Sequence, residues 1–424
     1  MRRVILRLAL LVLALAGSAG CTVIYDIVGS EKRDVYKFDR SFTIADPAFR
    51  RSLDTFGTSM VPGNTAELLK NGDEIFPAMT KAIREARTSV NLETYIFQPD
   101  EAGRQFANAM IEAARRGVEV RLLIDAWGSK LGDLQGPLEQ AGVKWKKYRP
   151  LRLFSIYKVG KRTHRKILVV DGKIAFTGGL GISKKWLGNA RNSGEWRDTQ
   201  VRVAGPVVDQ MQAIFAEDWT YTTGEILAGE KFYPKPDGRR GAVMAQAIKA
   251  SRGDASSLAK MLYYVAIKSA AKSIHIQNAY FVPDRQVRDA LVEAVRRGVD
   301  VKVMVPGRHI DLPMVRLASW LHYGDMLRGG VKIYEYRDTM LHNKTMVVDG
   351  LFSTIGSINF DTRSKNRNAE ESLAFFDREF AEKVEAMFAE DLKRCDEITL
   401  YAFDNRGFAK RVSEVLSYIW EPYY

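Results

Sequence analysis

The chain has 424 residues, 46% of them hydrophobic, a net charge of +13 and only two cysteines. That length leaves room for two domains, and two cysteines exclude a disulfide framework or a Cys-rich metal site. The positive balance favours anionic partners, phospholipid head groups or nucleic-acid phosphates, without choosing between them.

The N-terminus reads as a targeting signal. Arg2, Arg3 and Arg7 precede a short apolar core, Leu8 to Ala16, and the small residues Gly17-Ser18-Ala19-Gly20 end at Cys21. This order is that of a bacterial secretory signal. Ser18 to Cys21 resembles a lipoprotein processing box, with Ser18 where Leu is usual, so Cys21 is expected to become the lipidated first residue. The alternative is an uncleaved anchor running on to Val28. Asp26 and the small-residue break oppose it, and the apolar core falls short of the ~20 residues that a span needs. Either way the expected location is the bacterial cell envelope, membrane-attached, with the globular part outside the cytoplasm. Residues 22–60 read as a linker.

From residue 61 the chain reads as one unit written twice. In the first copy Val90 to Phe97 predicts a strand and Pro99-Asp100 a turn. An amphipathic helix then ends in Arg115-Arg116-Gly117, before a strand from Val118. In the second copy Ile274 to Phe281, Pro283-Asp284 and Arg296-Arg297-Gly298-Val299 repeat that order. Gly117 and Gly298 read as helix C-caps. The offset between matching positions shrinks by only a few residues from Val90/Ile274 to His164/His342, so little but loop length differs. Alternating strands and helices indicate an α/β fold, with an α/β sandwich in each half. The expected domains are 61–230 and 242–424. The Pro-, Gly- and charge-rich stretch 231–241 is the expected linker.

A basic segment lies in the first half. Lys144, Lys146, Lys147, Arg149, Arg152, Lys158, Lys161, Arg162 and Arg165 are interleaved with Trp145, Tyr148, Phe154 and Tyr157. It predicts a positive rim near the site, suited to a membrane interface. Trp127, Trp196 and Trp219 read as core. His275, His309 and His322 share no spacing and read as structural or surface residues.

The densest signal is a short pattern present in both copies. His164-x-Lys166-x4-Asp171 leads to Gly178-Gly179, and His342-x-Lys344-x4-Asp349 leads to Gly356-Ser357-Ile358-Asn359. Ile167 to Val170 and Thr345 to Val348 predict buried strands. On a strand, residues i and i+2 share a face, so each His and its Lys aim at one ligand. Asp171 and Asp349 fall at odd offsets before Gly172 and Gly350, and are expected to orient or brace the site. The glycine-containing pairs allow backbone to approach a ligand closely. Histidine serves as nucleophile or proton carrier near neutral pH, and lysine holds phosphate charge. With two histidines, one attacks phosphorus while the other protonates the leaving alcohol. Two lysines then hold the charge that develops on the equatorial oxygens. No metal or cofactor is required.

This pattern resembles the signature of the phospholipase D superfamily, H-x-K-x4-D-x6-G-[GS]-x-N. The second copy matches through Asn359; the first has Gly181 in place of Asn. The resemblance covers nearly everything after residue 60. It implies two halves related by pseudo-two-fold symmetry, with both motifs in one cleft. His164, Lys166, Asp171, His342, Lys344 and Asp349 would be catalytic, and Gly179, Ser357 and Asn359 would hold phosphate. It also implies an acid that fixes the tautomer of each histidine. Asp198 is expected to serve His164 and Glu370 to serve His342, with Glu371 as a rival. Glu93, Tyr95, Asn278 and Tyr280, at the ends of apolar strands, are further candidates for the cleft wall.

Within the superfamily the chain is most similar to bacterial cardiolipin synthases, through Glu93 to Phe97, Trp196-Arg197-Asp198 with Gly205-Pro206, Tyr280 to Asp284, and Gly356 to Asp361. Such enzymes transfer a phosphatidyl group from one phosphatidylglycerol to another through a phosphohistidine, releasing glycerol. The expected partner is therefore an anionic phospholipid at a membrane surface, not nucleic acid. By the same analogy His164 is the nucleophile and His342 the acid/base. A hydrolytic phospholipase D giving phosphatidic acid and a nuclease-type phosphodiesterase are the rival readings.

Overall fold

The structure is a computed structural model that describes residues 36–150, 162–235, 241–250, 254–361, 368–407, 411, 413 and 414. The expected signal segment with Cys21 lies outside the described residues. So do residues 236–240 of the expected linker and Arg152, Phe154, Tyr157, Lys158 and Lys161 of the basic segment. Among the described residues no helix is long and apolar enough to cross a membrane. From Arg40 onward the chain forms one compact unit.

Within the expected linker 22–60 a short helix, α1 (Pro47–Leu53), buries Phe49 and Leu53. The Phe49 ring packs edge-on against Phe352, with centroids 5.4 Å apart. The first copy then runs β1 (Val61–Lys70), α2 (Asn71–Glu85), β2 (Ser89–Thr94), α3 (Glu101–Arg115), β3 (Glu119–Asp125), α4 (Gln135–Gln140) and β4 (Lys144–Tyr148). It ends with β5 (Lys166–Val170), β6 (Ile174–Gly178), β7 (Thr199–Ala204) and α5 (Val207–Thr223). The second copy runs β8 (Val243–Ala250), α6 (Asp254–Ser269), β9 (Ser273–Asn278), α7 (Arg285–Arg296), β10 (Asp300–Pro306), α8 (Pro313–Arg328) and β11 (Lys332–Tyr336). It continues through β12 (Lys344–Val348), β13 (Phe352–Gly356), β14 (Glu370–Phe376) and α9 (Arg378–Leu392) to β15 (Cys395–Glu397) and α10 (Leu400–Asp404).

All the strands join one sheet, in the order β15-β11-β10-β9-β12-β13-β14-β8-β1-β7-β6-β5-β2-β3-β4. Read outward from the β1–β8 seam, the two sides carry equivalent strands as far as β4 and β11, and β15 extends the second side by one. The duplication legible in the sequence is thus a symmetry of the sheet. The helix signals also fall where expected. Asp100 and Asp284 accept from the backbone N–H of Gly103 and Val287, capping α3 and α7. Gly117 and Gly298, each at φ +89°, close those helices.

The motif strands are buried on both faces, which explains their unbroken apolar runs. Leu168 and Val170 of β5 pack with α2 and α3 through Phe76, Phe106 and Met110. Ile167 and Val169 pack on the other face with Met211 and Phe215 of α5. That second core also takes in Val347, Leu373 and Met387 of the other half, so the halves share apolar packing.

Candidate active site

Each motif histidine sits just before its strand, which begins at the lysine. The segment carrying the histidine pairs not with its own half but with the other. Thr163 bridges Ala369 and Arg197 bridges Leu341, both in parallel. His164 N–H donates to the Ala369 carbonyl at 2.8 Å, and His342 N–H to the Arg197 carbonyl at 2.7 Å. Ala369 precedes Glu370, and Arg197 precedes Asp198. Each histidine therefore lands beside the acid of the opposite half.

The side chains follow. His164 Nδ1 lies 2.7 Å from Glu370 Oε2, and His342 Nδ1 lies 2.8 Å from Asp198 Oδ2. This corrects the sequence expectation, which assigned each acid to the histidine of its own half. Linear proximity suggested that pairing, whereas the bridge between halves decides it. Glu371, the rival, points away: it accepts from Thr177 Oγ1 at 2.5 Å and from the Lys166 N–H at 3.2 Å. Burial pushes its carboxyl up to about 7.

With Nδ1 facing a carboxylate, Nε2 of each ring is the atom left for chemistry. Lys166 Nζ and Lys344 Nζ each donate to the carbonyl of their own motif histidine at 2.6 Å. Lys344 Nζ also lies 3.0 Å from His342 Nε2. Burial, aided by the two lysine charges against the pull of Glu370, lowers His164 to about 4. Burial and the same lysines, against Asp198, lower His342 to about 4. Burial and the Lys166 charge bring Lys344 down to about 7. Lysines of each half thus act on the histidine of the other, as one cleft requires.

The two histidines have unlike surroundings. Glu370 Oε2 also accepts from Ser357 Oγ at 2.6 Å, and Asn368 donates to Oε1 at 3.2 Å. Burial opposes ionisation of Glu370, but His164, Lys166 and Ser357 hold its carboxyl below the usual range. On the His342 side, Asp198 Oδ2 accepts from Trp186 Nε1 at 2.8 Å, and Oδ1 from the Thr199 N–H at 2.8 Å. Trp186 was not singled out from the sequence, and it explains why the first motif departs from the signature. A Cβ at Gly179, the position equivalent to Ser357, would meet Asp198 Oδ1 at 2.3 Å. A Cβ at Gly181, the position of the missing Asn, would meet the Trp186 ring at 3.0 Å. The indole thus takes the space of one motif side chain and supplies the hydrogen bond of another. The signal was the pairing of an atypical Gly181 with a tryptophan five residues on.

Other expected site residues are redistributed. Asp171 and Asp349 stand five residues past the lysines, roughly 16 Å along a strand. They are not cleft residues, which corrects their grouping with the catalytic set. Asp171 accepts from the N–H groups of Arg87, Thr88 and Ser89. Asp349 does the same for Ala271, Lys272 and Ser273. Each adopts positive φ with the glycine after it, 55° and 61° in the first copy, so an Asp-Gly turn closes the motif hairpin. Gly179 and Ser357 were expected on phosphate. Instead their N–H groups donate to Thr199 and Glu371 carbonyls, and both positions shape the acids. Asn359 is buried.

Tyr95 and Tyr280 do line the cleft, their rings 5.0 Å from His164 and 6.4 Å from His342. Asn278 is a backbone brace for Phe360. Glu93 lies beneath the floor: burial raises its carboxyl well above the usual range, with Asp218 adding to the effect and Arg165 opposing it. Arg165, expected on the basic rim, is buried on Asp218 at 2.5 Å. Of the tryptophans expected in the core, Trp219 and Trp196 are there, the Trp196 ring 5.4 Å from His342, but Trp127 is 47% exposed.

A duplicated α/β sheet presenting two His–Lys pairs in one cleft, each histidine on a carboxylate, defines a phospholipase D-type enzyme. The family model described as cardiolipin synthase, PLD-like domain, matches residues 79–219 and 263–392, and the chain belongs to that family. A probable cardiolipin synthase of Bacillus subtilis is 37% identical over 380 residues, 89% of this chain and 74% of that protein. A cardiolipin synthase of Geobacillus sp. strain WCH70 is 38% identical over 362 residues, 84% of this chain and 71% of that protein. A phosphatidylserine synthase structure from Haemophilus influenzae Rd KW20 matches with TM-score 0.65 at 12% identity, covering 88% of this chain and 99% of that one. That likeness supports the fold alone.

Proposed function

We propose that the protein is a membrane-associated phosphatidyltransferase that makes cardiolipin from two phosphatidylglycerol molecules and releases glycerol. The observation that carries this reading is the crossed pairing of His164 with Glu370 and His342 with Asp198. It gives one site two oriented imidazoles, as a double displacement at phosphorus needs. The names of the relatives supply the substrate class.

In this scheme His164 Nε2 attacks phosphorus. The P–O bond to the head-group glycerol breaks, and His342 protonates the departing alkoxide. A second phosphatidylglycerol then brings its head-group hydroxyl to His342, which takes the proton back. The new P–O bond forms as the P–Nε2 bond breaks. A low proton affinity keeps His164 a free nucleophile at neutral pH. His342 must carry a proton in the first step, and the anionic phosphodiester arriving beside it raises its affinity for one. Lys166 and Lys344 hold the equatorial oxygens. The signal-like N-terminus that ends at Cys21 supports a position at the bacterial cell envelope, with the globular part outside the cytoplasm.

The test is the full-length protein in detergent–phosphatidylglycerol mixed micelles with chelator, products read by mass spectrometry. Cardiolipin and glycerol in equal amounts, lost in His164→Ala and in His342→Ala, is the expected result. Phosphatidic acid alone would reassign the enzyme to hydrolysis. No lipid turnover by a folded protein would overturn the reading.

A further inference from the structure

Three large apolar side chains are exposed at the mouth of the cleft: Trp127 at 47% on one loop, Leu312 at 47% at the end of a second, and Met314 at 38% in the first turn of α8 that follows it. The Trp127 loop follows β3, and its conformation is fixed from within. Asp125 accepts from the N–H groups of Trp127, Gly128 and Thr163, the last adjacent to His164. Ser129 ties the Phe97 N–H to the Tyr95 carbonyl. A Cβ on Gly128 would meet that carbonyl at 2.3 Å, so the loop is packed tight. The Arg162 guanidinium stands 5.5 Å over the Trp127 ring and donates to Tyr95 Oη at 2.7 Å. From Trp127 to His164 there are thus two intervening side chains.

The second loop follows β10, the strand equivalent to β3. Tyr280 Oη donates to Asp311 Oδ1 at 2.8 Å, beside Leu312, and the Tyr280 ring faces His342. Ile310 and Val315 are buried, which leaves Leu312 and Met314 outward. Ile310, Val315 and Leu131 of the Trp127 loop belong to the same hydrophobic core. The two apolar points therefore rest on one base and flank one cleft. Cations accompany them: Lys130 and Arg308 are exposed and Arg162 half-buried.

An apolar side chain held out by a rigid loop loses free energy in water that it regains in an interface. Tryptophan beside cations suits the head-group layer of an anionic bilayer. Resting on the phospholipid reading above, we infer that Trp127 on one side and Leu312 with Met314 on the other dock the cleft mouth into the surface of the lipid phase that holds the substrate. Lipid then passes from bilayer to His164 and His342 without crossing water.

The experiment compares two forms of one substrate for the full-length protein: phosphatidylglycerol vesicles, and dihexanoyl phosphatidylglycerol held below its micelle concentration. The variant is Trp127→Ser with Leu312→Ser. Burying one such side chain is worth roughly tenfold, so kcat/KM on vesicles is expected to fall by tenfold or more. Turnover of the monomeric lipid is expected to be unchanged. An equal fall on both substrates, or no fall on vesicles, would overturn the inference. So would a wild-type dimer, seen by sedimentation, that the variant dissociates, because the patch would then belong to a second copy. A wild type that turns over neither lipid would sink the phospholipid reading itself, and the docking surface with it.

Discussion

His164 Nδ1 and Glu370 Oε2 lie 2.7 Å apart although 206 residues separate them in the chain. With the reciprocal pair His342 and Asp198, this means that neither half owns a complete site. A chain cut within 236–240 should therefore give two fragments that are each inactive. Co-expression should restore phosphatidyltransfer, because the shared apolar core and the β1–β8 seam rejoin them. Activity in either purified, folded fragment alone would contradict the crossed arrangement.

Trp186 gives Asp198 one of its hydrogen bonds, as Ser357 gives one to Glu370. Trp186→Phe removes the N–H together with the outer part of the indole that fills the space beside Gly181. A hydrogen bond to a charged group contributes about 1.5–3 kcal/mol, so kcat should fall by roughly tenfold or more, with KM little changed. Without that donor Asp198 holds the His342 Nδ1 proton more strongly. The alkaline limb of the kcat profile, where the protonated His342 is lost, should then move to higher pH. A profile that drops in height but does not move would reduce Trp186 to a packing residue. Ser357→Ala should likewise raise the proton affinity of His164 and, because that residue must attack unprotonated, move the acid limb to higher pH.

Lys344 sits near 7, far below the ordinary lysine value, because it is buried close to Lys166. In the free enzyme its charge is lost as pH rises past that point. Affinity for glycerophosphoglycerol, a diester of fixed charge in this range, should weaken above pH 7 by up to about tenfold per unit. Calorimetric titration between pH 6 and 9 checks it, and a flat Kd would refute it. The stability effect has a definite sign. Between about 7 and 10.5 the unfolded chain binds a proton that the folded chain does not, so this lysine makes stability rise with pH across that window. Lys344→Met should remove that rise and raise the urea midpoint at pH 7.

The fold was legible because the duplication is written in local signals. Pro99-Asp100 and Pro283-Asp284 start helices, Gly117 and Gly298 stop them, and the motif strands are uninterrupted apolar runs. The motif histidines and lysines were legible for the same reason. What sequence could not give was contact across the seam. Asp198 and Glu370 were found by their place after each motif, yet assigned to the nearer histidine, because nothing local marks the bridges Thr163–Ala369 and Arg197–Leu341. Arg165 looked like a rim cation because its partner Asp218 lies 53 residues away on α5. The motif aspartates looked catalytic by company, whereas their Asp-Gly turns were the better guide.

Arg197 supplies the last asymmetry. In the first half the buried cation under the motif is its own Arg165, on Asp218. In the second half Asn343 takes that place, and the cation comes from across the seam. Arg197 Nε and Nη2 each donate to Asp391 at 2.8 Å, while its Nη1 donates to the Asp198 carbonyl at 2.5 Å. Arg197→Met leaves Asp391 buried and unpaired except for Gln277, a loss of about 3–5 kcal/mol. Adding Asp391→Leu should return the urea midpoint most of the way, since an apolar pair can replace a buried ion pair. Activity should not return with it, because the peptide carrying Asp198 has lost its anchor and His342 loses its orientation. If kcat recovers in step with stability, Arg197 is only a rivet between the halves. If stability recovers while kcat stays low, the same guanidinium also sets the position of the acid beside it.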